Sequence, residues 1–231
     1  RTELRRASGL GFDIAIEEDL IEEVGRMVGY DQIPSTPGVA RELLGRSSET
    51  RVAPDRAVDR LTARGYAEVI TYSFVDAELE EAFNPGVDPV RLANPIASDM
   101  AVLRRSLWPG LLGAARQNLA HQRGRFKLFE LGPQFEADGQ GVRQTLVLAG
   151  IAIGTRNPEH WDGAGPEIDF FDVKGDLEAL LELTGRGAEF RFEPATHPAL
   201  SPGRTARIVR GTEPVGWLGV LHPNLQGRLD K

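Results

Sequence analysis

Cysteine is absent from this chain. That excludes disulfides and thiolate-held metals, and it is compatible with a reducing compartment without requiring one. Histidine is scarce. The four residues, His121, His160, His197 and His222, are scattered and include no metal-ligand spacing such as HxxxH. No Gly-x-Ser-x-Gly elbow is present, and no Ser–His–Asp set can be argued from the order of residues. No apolar run approaches the roughly 20 residues of a spanning helix. No charged-then-apolar leader opens the chain, so no membrane role is expected. Positive charge is in deficit: 27 Lys and Arg stand against 34 Asp and Glu, a net charge of −7. A protein whose main task was to grip phosphate backbones would be basic. Any contact with nucleic acid is therefore expected in a local patch.

What is present suffices for one substantial core and a small appendage: 231 residues, 41% of them hydrophobic. Residues 11 to 34 read as the tail of one small domain, within a first segment 1–34. Residues 35–48, STPGVARELLGRSS, have turn residues at both ends and read as a linker. A main domain is expected over 49–231. Its pattern predicts a helix over 51–65, with Val52, Val58 and Leu61 on one face and Gly65 as its stop. AEVITYSFV and RLANP read as strands, and 77–83 as a short helix. A helix is predicted over 106–121, with Ser106 as its cap and Leu111, Leu112, Ala115 and Leu119 buried. RFKLFELGPQF and TLVLAGIAIG read as strands joined by the turn ADGQG. FFDVKGDLEALLELTG reads as strand first and helix after, with Gly185 as the stop. Three strands follow: AEFRFEPA, TARIVRG and PVGWLGVLHP. Antiparallel strands interspersed with helices give an α+β fold.

The densest information lies in GFDIAIEEDLIEEVGRMVGYDQIP, residues 11 to 34. Leu20, Ile21, Val24, Met27 and Val28 recur at helical spacing, which predicts an amphipathic helix over 18–29. Asp19, Glu22 and Glu23 occupy one turn, so their carboxylates can converge. Asp13 reaches the same place from the extended segment FDIAI. Hard oxygens on so short a path suit magnesium or calcium. The alternative reading is a solvated helix start, where the dipole favours acids in any case.

The same stretch resembles the β subunit of bacterial phenylalanine–tRNA ligase, in Asp13, Ile16 to Val24, Tyr30 and Ile33–Pro34. Further segments resemble that subunit in the same order: ITYSFVDAEL, the long run from Asn84 to Gln122, LFELGPQF, NPEHW, IDFFDVKGDLEALLELTG, HPALSPGRTARI and GWLGVLHPNL. The resemblance covers about residues 11 to 226. One departure is RRASGLGFD, where the family usually carries a Pro-Ser-aromatic-Arg approach. The resemblance implies a class II aminoacyl-tRNA synthetase-like antiparallel sheet flanked by helices. It implies a cytoplasmic enzyme that attaches phenylalanine to its tRNA using ATP. It also implies assembly with an α subunit and a second β subunit into a heterotetramer. Magnesium, shared with the α subunit, would fall to Asp13, Asp19, Glu22 and Glu23, and be held weakly or not at all by this piece alone.

The resemblance also implies the fold without the catalysis. A working class II site needs a strand Arg on the ATP α-phosphate and a Gly-rich strand–helix element ending in Arg. Here GWLGVLHPNLQGRLDK has Gly216 and Gly219 in a strand pattern, and its Arg228 lies beyond a proline. Arg125 lacks the acid-and-His loop of a functional second motif. No catalytic residue and no bound ATP are expected, and the piece reads as a scaffold for the α subunit and for tRNA. The rival readings are a stand-alone pseudo-synthetase acting as a regulatory or binding module, and a magnesium-dependent enzyme built on the acids.

One local sign reversal stands out. Between Asp99 and Glu130 there is no acid, yet Arg104, Arg105, Arg116, Arg123, Arg125, Lys127 and His121 all occur. A tRNA-facing patch and a subunit interface both fit. The mixture of apolar residues and Arg in SLWPGLLGAARQNL favours the α-subunit interface. In GTRNPEHW, the trio Glu159, His160 and Trp161 suggests recognition, but a loop anchored by a packed Trp is the stronger expectation.

Overall fold

The architecture was obtained as a computed structural model, and it describes residues 16–35, 52–139, 141–163 and 165–229. The chain divides into two compact units, Arg1–Arg46 and Ser47–Lys231. The 35–48 stretch and Asp13 fall almost wholly or wholly outside the described residues.

In the first unit, helix α1 runs from Glu17 to Val28. Gly29, at φ +91°, ends it, with its N–H on the Gly25 carbonyl. A 3-10 turn, Tyr30–Gln32, follows.

The second unit opens with α2, Pro54–Ala63. Proline at the start needs no amide partner there, and Gly65 at φ +84° stops the helix as expected. The predicted strand AEVITYSFV is broken into β1, Ala67–Glu68, and β2, Phe74–Val75. Helix α3 spans Ala77–Phe83, capped by Asp76, whose carboxylate accepts from Leu79 N–H at 2.9 Å. RLANP forms only a single bridge, Arg91 to Val102. Strand β3, Val102–Leu103, pairs antiparallel with β2. Helix α4, Trp108–Ala120, follows. Leu107 is the cap position, while the Ser106 hydroxyl accepts from Trp108 N–H at 3.1 Å.

The longest pairing is the hairpin of β4, Phe126–Asp138, with β5, Gly141–Ile153, in unbroken antiparallel register. β1 adds to β4 in parallel, giving a sheet of order β1-β4-β5. Helix α5 covers Phe170–Leu181. It is helical from its first residue, so the strand expected for FFDV is corrected. The cause is local: Asp169 accepts from Phe171 and Asp172 N–H, and Asp172 accepts in return from Asp169 N–H. Gly185, at φ +68°, follows the closing 3-10 turn. The sheet β6, Phe190–Pro194, β7, Leu200–Arg210, and β8, Glu213–Leu221, is antiparallel throughout. A short α6, Pro223–Gln226, completes the described order.

Residues opposite one another in the β4–β5 register share a face. Phe129, fully buried, and Leu148 meet Leu61 and Val58 of α2 and Leu180 of α5. Burying a phenylalanine this far contributes roughly 1.5–3 kcal/mol. On the other face Leu128, Val147, Ala149 and Ile151 meet Leu107 and Leu111 at the start of α4. The sheet is therefore sandwiched between α4 and the α2–α5 pair. Among the described residues no helix is long and apolar enough to cross a membrane.

Candidate functional site

The expected magnesium residues lie on α1. Asp19 Oδ2 accepts from Ile16 N–H at 3.0 Å, a bond that fixes the helix start. Glu23 is bonded to Arg26 at 2.6 Å, and Glu22 is exposed. Among the described residues no three acidic or histidine side chains converge as a metal site would require. The donor chemistry suits magnesium, but Asp19, Glu22 and Glu23 do not by themselves form a metal site. The apolar stripe of this helix stays open: Ile21, Val24 and Met27 are all exposed.

The face of the sheet that meets α4 carries a closed set of internal bonds. Arg104, 1% exposed, sends Nη1 to Glu130 Oε1 at 2.8 Å and to Thr71 Oγ1 at 2.9 Å. Its Nε donates to the Pro133 carbonyl at 2.9 Å. The Thr71 hydroxyl donates to Glu130 Oε2 at 2.7 Å. Both carboxylate oxygens of Glu130 are thus engaged, in a residue 3% exposed. Two glycines make room for this network. A Cβ on Gly132 would stand 2.6 Å from Arg104 Nη2, and one on Gly110 would stand 2.1 Å from Thr71 Oγ1.

In the C-terminal element Gly219 is committed in the same way, whereas a Cβ on Gly216 would make only ordinary contact with Ile208 Cδ1 at 3.6 Å. A Cβ on Gly219 would meet the Arg204 carbonyl at 2.8 Å and Leu200 Cδ1 at 3.0 Å. Its missing side chain lets β7 and β8 pack closely. Arg125 is exposed and donates to the Thr155 and Arg156 carbonyls at 3.0 and 3.1 Å.

A second polar hub joins α2, β1, β4 and α5. Asp176 is bonded to Arg64 at 2.6 Å, Lys127 at 2.9 Å and the Tyr66 hydroxyl at 3.0 Å. Burial alone would push the Asp176 carboxyl up. Hydrogen bonds from Lys127, Arg64 and Tyr66 outweigh it and hold the carboxyl below its usual range. Burial and the adjacent Asp176 raise the Tyr66 phenol well above its ordinary value. Lys127 also sits over the Tyr66 ring, 5.0 Å from its centre. Asp176 lay outside the sequence expectations, although an aspartate inside the apolar periodicity of α5 was a signal for it.

The arginine run divides in two. Arg104 is withdrawn from the expected surface patch: it is buried, and its charge is balanced by Glu130 within the chain. Arg105 is half-buried, and its charge acts on Glu80. Glu80 is itself buried, and desolvation raises its carboxyl above the usual range. Arg116, Arg123 and Arg125 are exposed. The apolar residues that made this run look like an interface, Leu111, Leu112 and Ala115, are spent in the chain's own core.

His197 is gripped between Trp108 and Trp217, with ring centres 5.2 and 4.9 Å away, and burial lowers its affinity for a proton. His222 caps α6 by accepting from Asn224 N–H. Both precede a proline and lie outside helix and strand. Trp161 reverses the expectation of a packed anchor: it is 96% exposed.

Residues 33–230 match the family described as phenylalanyl tRNA synthetase beta chain CLM domain. A phenylalanine–tRNA ligase beta subunit of Methylococcus capsulatus is 47% identical over 218 residues, 94% of this chain and 27% of that protein. The corresponding subunit of Pseudomonas fluorescens is 48% identical over 220 residues, 94% of this chain and 28% of that one. The chain thus spans little more than a quarter of the length of these relatives. Among solved structures, a pyrrolysyl tRNA synthetase of Desulfitobacterium hafniense aligns over 76% of this chain and 60% of that one. Its TM-score is 0.55 at 18% identity, a likeness of fold alone.

Proposed function

Because this chain belongs to the phenylalanyl-tRNA synthetase β-chain family, we propose that it serves as the non-catalytic core of a phenylalanine–tRNA ligase β subunit. In that role it scaffolds an α subunit that carries the ATP-dependent attachment of phenylalanine to tRNA. The whole enzyme would be a cytoplasmic heterotetramer with a second β subunit. The observation that carries the non-catalytic assignment is the closed Arg104–Glu130–Thr71 network. A nucleotide site needs cations free to meet phosphates. Here the sheet's buried cation is neutralised, and Gly219 is packed against Arg204. An edge of the same sheet supports docking of a partner. Ile70 and Tyr72, on the ribbon between β1 and β2, are 92% and 70% exposed, while Thr71 between them points inward to Glu130.

The test is capture of the family's α subunit by the purified chain, with phenylalanine-dependent ATP–pyrophosphate exchange measured on the chain alone. Capture without exchange is the expected result. Exchange above a no-enzyme control that survives repurification would overturn the non-catalytic reading. Failure to capture the α subunit would overturn the scaffold reading.

We extend the proposal to magnesium at Asp13, Asp19, Glu22 and Glu23, with a shell completed by the α subunit. Magnesium keeps several waters and seldom takes an all-protein cage, so a shell divided between subunits suits it. Its charge would offset the mutual repulsion of the carboxylates at the helix start. Calorimetric titration of magnesium into the chain should give little heat. Heat should appear with the α subunit present and fall away in Glu22→Ala with Glu23→Ala. Equal heats in wild type and variant complexes would return these acids to a solvated helix start.

A further inference from the structure

Three side-chain donors without acceptors line one cleft beside α6. The cleft has a volume of about 460 Å³ and is walled by Ala82 of α3, Pro198, His222, Asn224, Leu225 and Arg228. That is the size range of small-molecule sites. Among the described residues no side-chain hydrogen bond or ion pair engages the Arg228 guanidinium or the Asn224 amide. His222 Nδ1 accepts from Asn224 N–H at 3.2 Å, so the neutral imidazole carries its hydrogen on Nε2. That N–H also lacks an acceptor among the described residues.

The walls are held in place by the core. Leu225 anchors α6 in the buried cluster of Phe83, Leu112 and Ala199. His222 N–H donates to the Ala199 carbonyl at 2.9 Å, and Gln226 Nε2 donates to the Leu221 carbonyl at 3.0 Å. Pro198 follows His197, which two tryptophans grip, and precedes the fully buried Ala199. Donors fixed before a ligand arrives lose little freedom on binding it.

The donor set selects the ligand. A guanidinium can take a carboxylate through two parallel bonds, and an amide N–H and an imidazole N–H can serve its remaining lone pairs. Ala82, Pro198 and Leu225 offer an apolar wall for a short hydrocarbon body. None of the lining residues is acidic. An ammonium group on the ligand would therefore be desolvated among donors and a cation, with no counter-charge. Free amino acids are disfavoured for that reason, which separates this cleft from amino-acid recognition.

We propose that the cleft beside α6 binds a small carboxylate with an apolar body and no ammonium group. Arg228 and Asn224 take the carboxylate, and His222 Nε2–H completes its bonds. The proposal does not depend on the scaffold reading, because every residue it uses belongs to this chain.

The experiment titrates isocaproate into the full 231-residue chain, with the backbone amide signals of Asn224, Leu225 and Arg228 followed by heteronuclear NMR. A saturable shift of these signals is expected. Leucine has the same skeleton with an ammonium group, and isocaproamide has it without the charge. Both are expected to bind weaker by roughly tenfold or more, one for its unpaired ammonium and the other for its lost charge-assisted bonds. Inorganic phosphate, with no apolar body, should also bind more weakly. Arg228→Met is expected to weaken isocaproate binding roughly tenfold or more. Arg228→Lys should recover part of the loss, since a point charge remains without the paired geometry. Asn224→Ala should weaken binding less than Arg228→Met. Both side chains are exposed, so these variants are expected to keep the fold, and the rest of each spectrum reports on it. The absence of a saturable shift with isocaproate would overturn the proposal. So would equal affinity for leucine, isocaproamide or phosphate, or an affinity unchanged in Arg228→Met.

Discussion

Arg104→Met is expected to destabilise the chain by roughly 3–5 kcal/mol, the usual cost of removing one partner from a buried ion pair. Arg104 is 1% exposed and Glu130 3%, so water cannot replace the lost partner. Glu130 would keep only the Thr71 hydroxyl and a long 3.3 Å bond from Thr71 N–H. The Pro133 carbonyl would lose its bond from Nε. Glu130→Gln should cost less, because it keeps the shape and one oxygen acceptor while removing the charge. The decisive comparison is Arg104→Met with Glu130→Met, measured by urea denaturation. The double variant should be less destabilised than the sum of its two single variants, since no orphaned charge remains. Additive losses would mean that the pair acts through packing alone. Thr71 joins this network to the exposed ribbon of Ile70 and Tyr72. The single variants should therefore also weaken α-subunit capture under conditions where they remain folded.

Asp176→Asn should cost about 3 kcal/mol at neutral pH, the low end for a broken buried pair because Arg64 reaches solvent. One carboxylate serves three donors from three elements, so its loss loosens α2, β4 and α5 together. The pH dependence has a definite sign. The folded carboxyl is held below its ordinary value of 3.8. Its contribution is therefore fully present above about pH 4 and is lost as pH falls through the folded value. Wild type and Asp176→Asn should differ most near neutrality and converge in acid. Chemical denaturation of both proteins at several pH values checks this. A difference that persists unchanged into strong acid would remove the carboxylate charge from the explanation.

Much of the secondary structure could be read from the sequence because its causes are local. The hydrophobic period of α1, the glycine that stops α2 and the turn between β4 and β5 act within a few residues. Where local signals compete, the reading failed. FFDV has strand-like residues, but Asp169 and Asp172 cap each other and make the segment helical. AEVITYSFV has a strand's composition, yet it pairs only at Ala67–Glu68 and Phe74–Val75, and between them Thr71 bonds Glu130 through its amide and hydroxyl.

The family itself, and hence the α+β class, was determined by the sequence alone: the motifs from Ile16 to Leu225 occur in order, and order survives without coordinates. Only the tertiary structure decided which charges are interior. Arg104 and Arg105 are neighbours of identical chemistry, but the first faces Glu130, 26 residues away, across the inside of the sheet. Tyr66 and Asp176 meet across 110 residues. A tryptophan in a loop reads the same whether it anchors the loop or projects from it, and the fold sets Trp161 outside. Burial depends on what packs against a residue, and for these residues the neighbours come from distant parts of the chain.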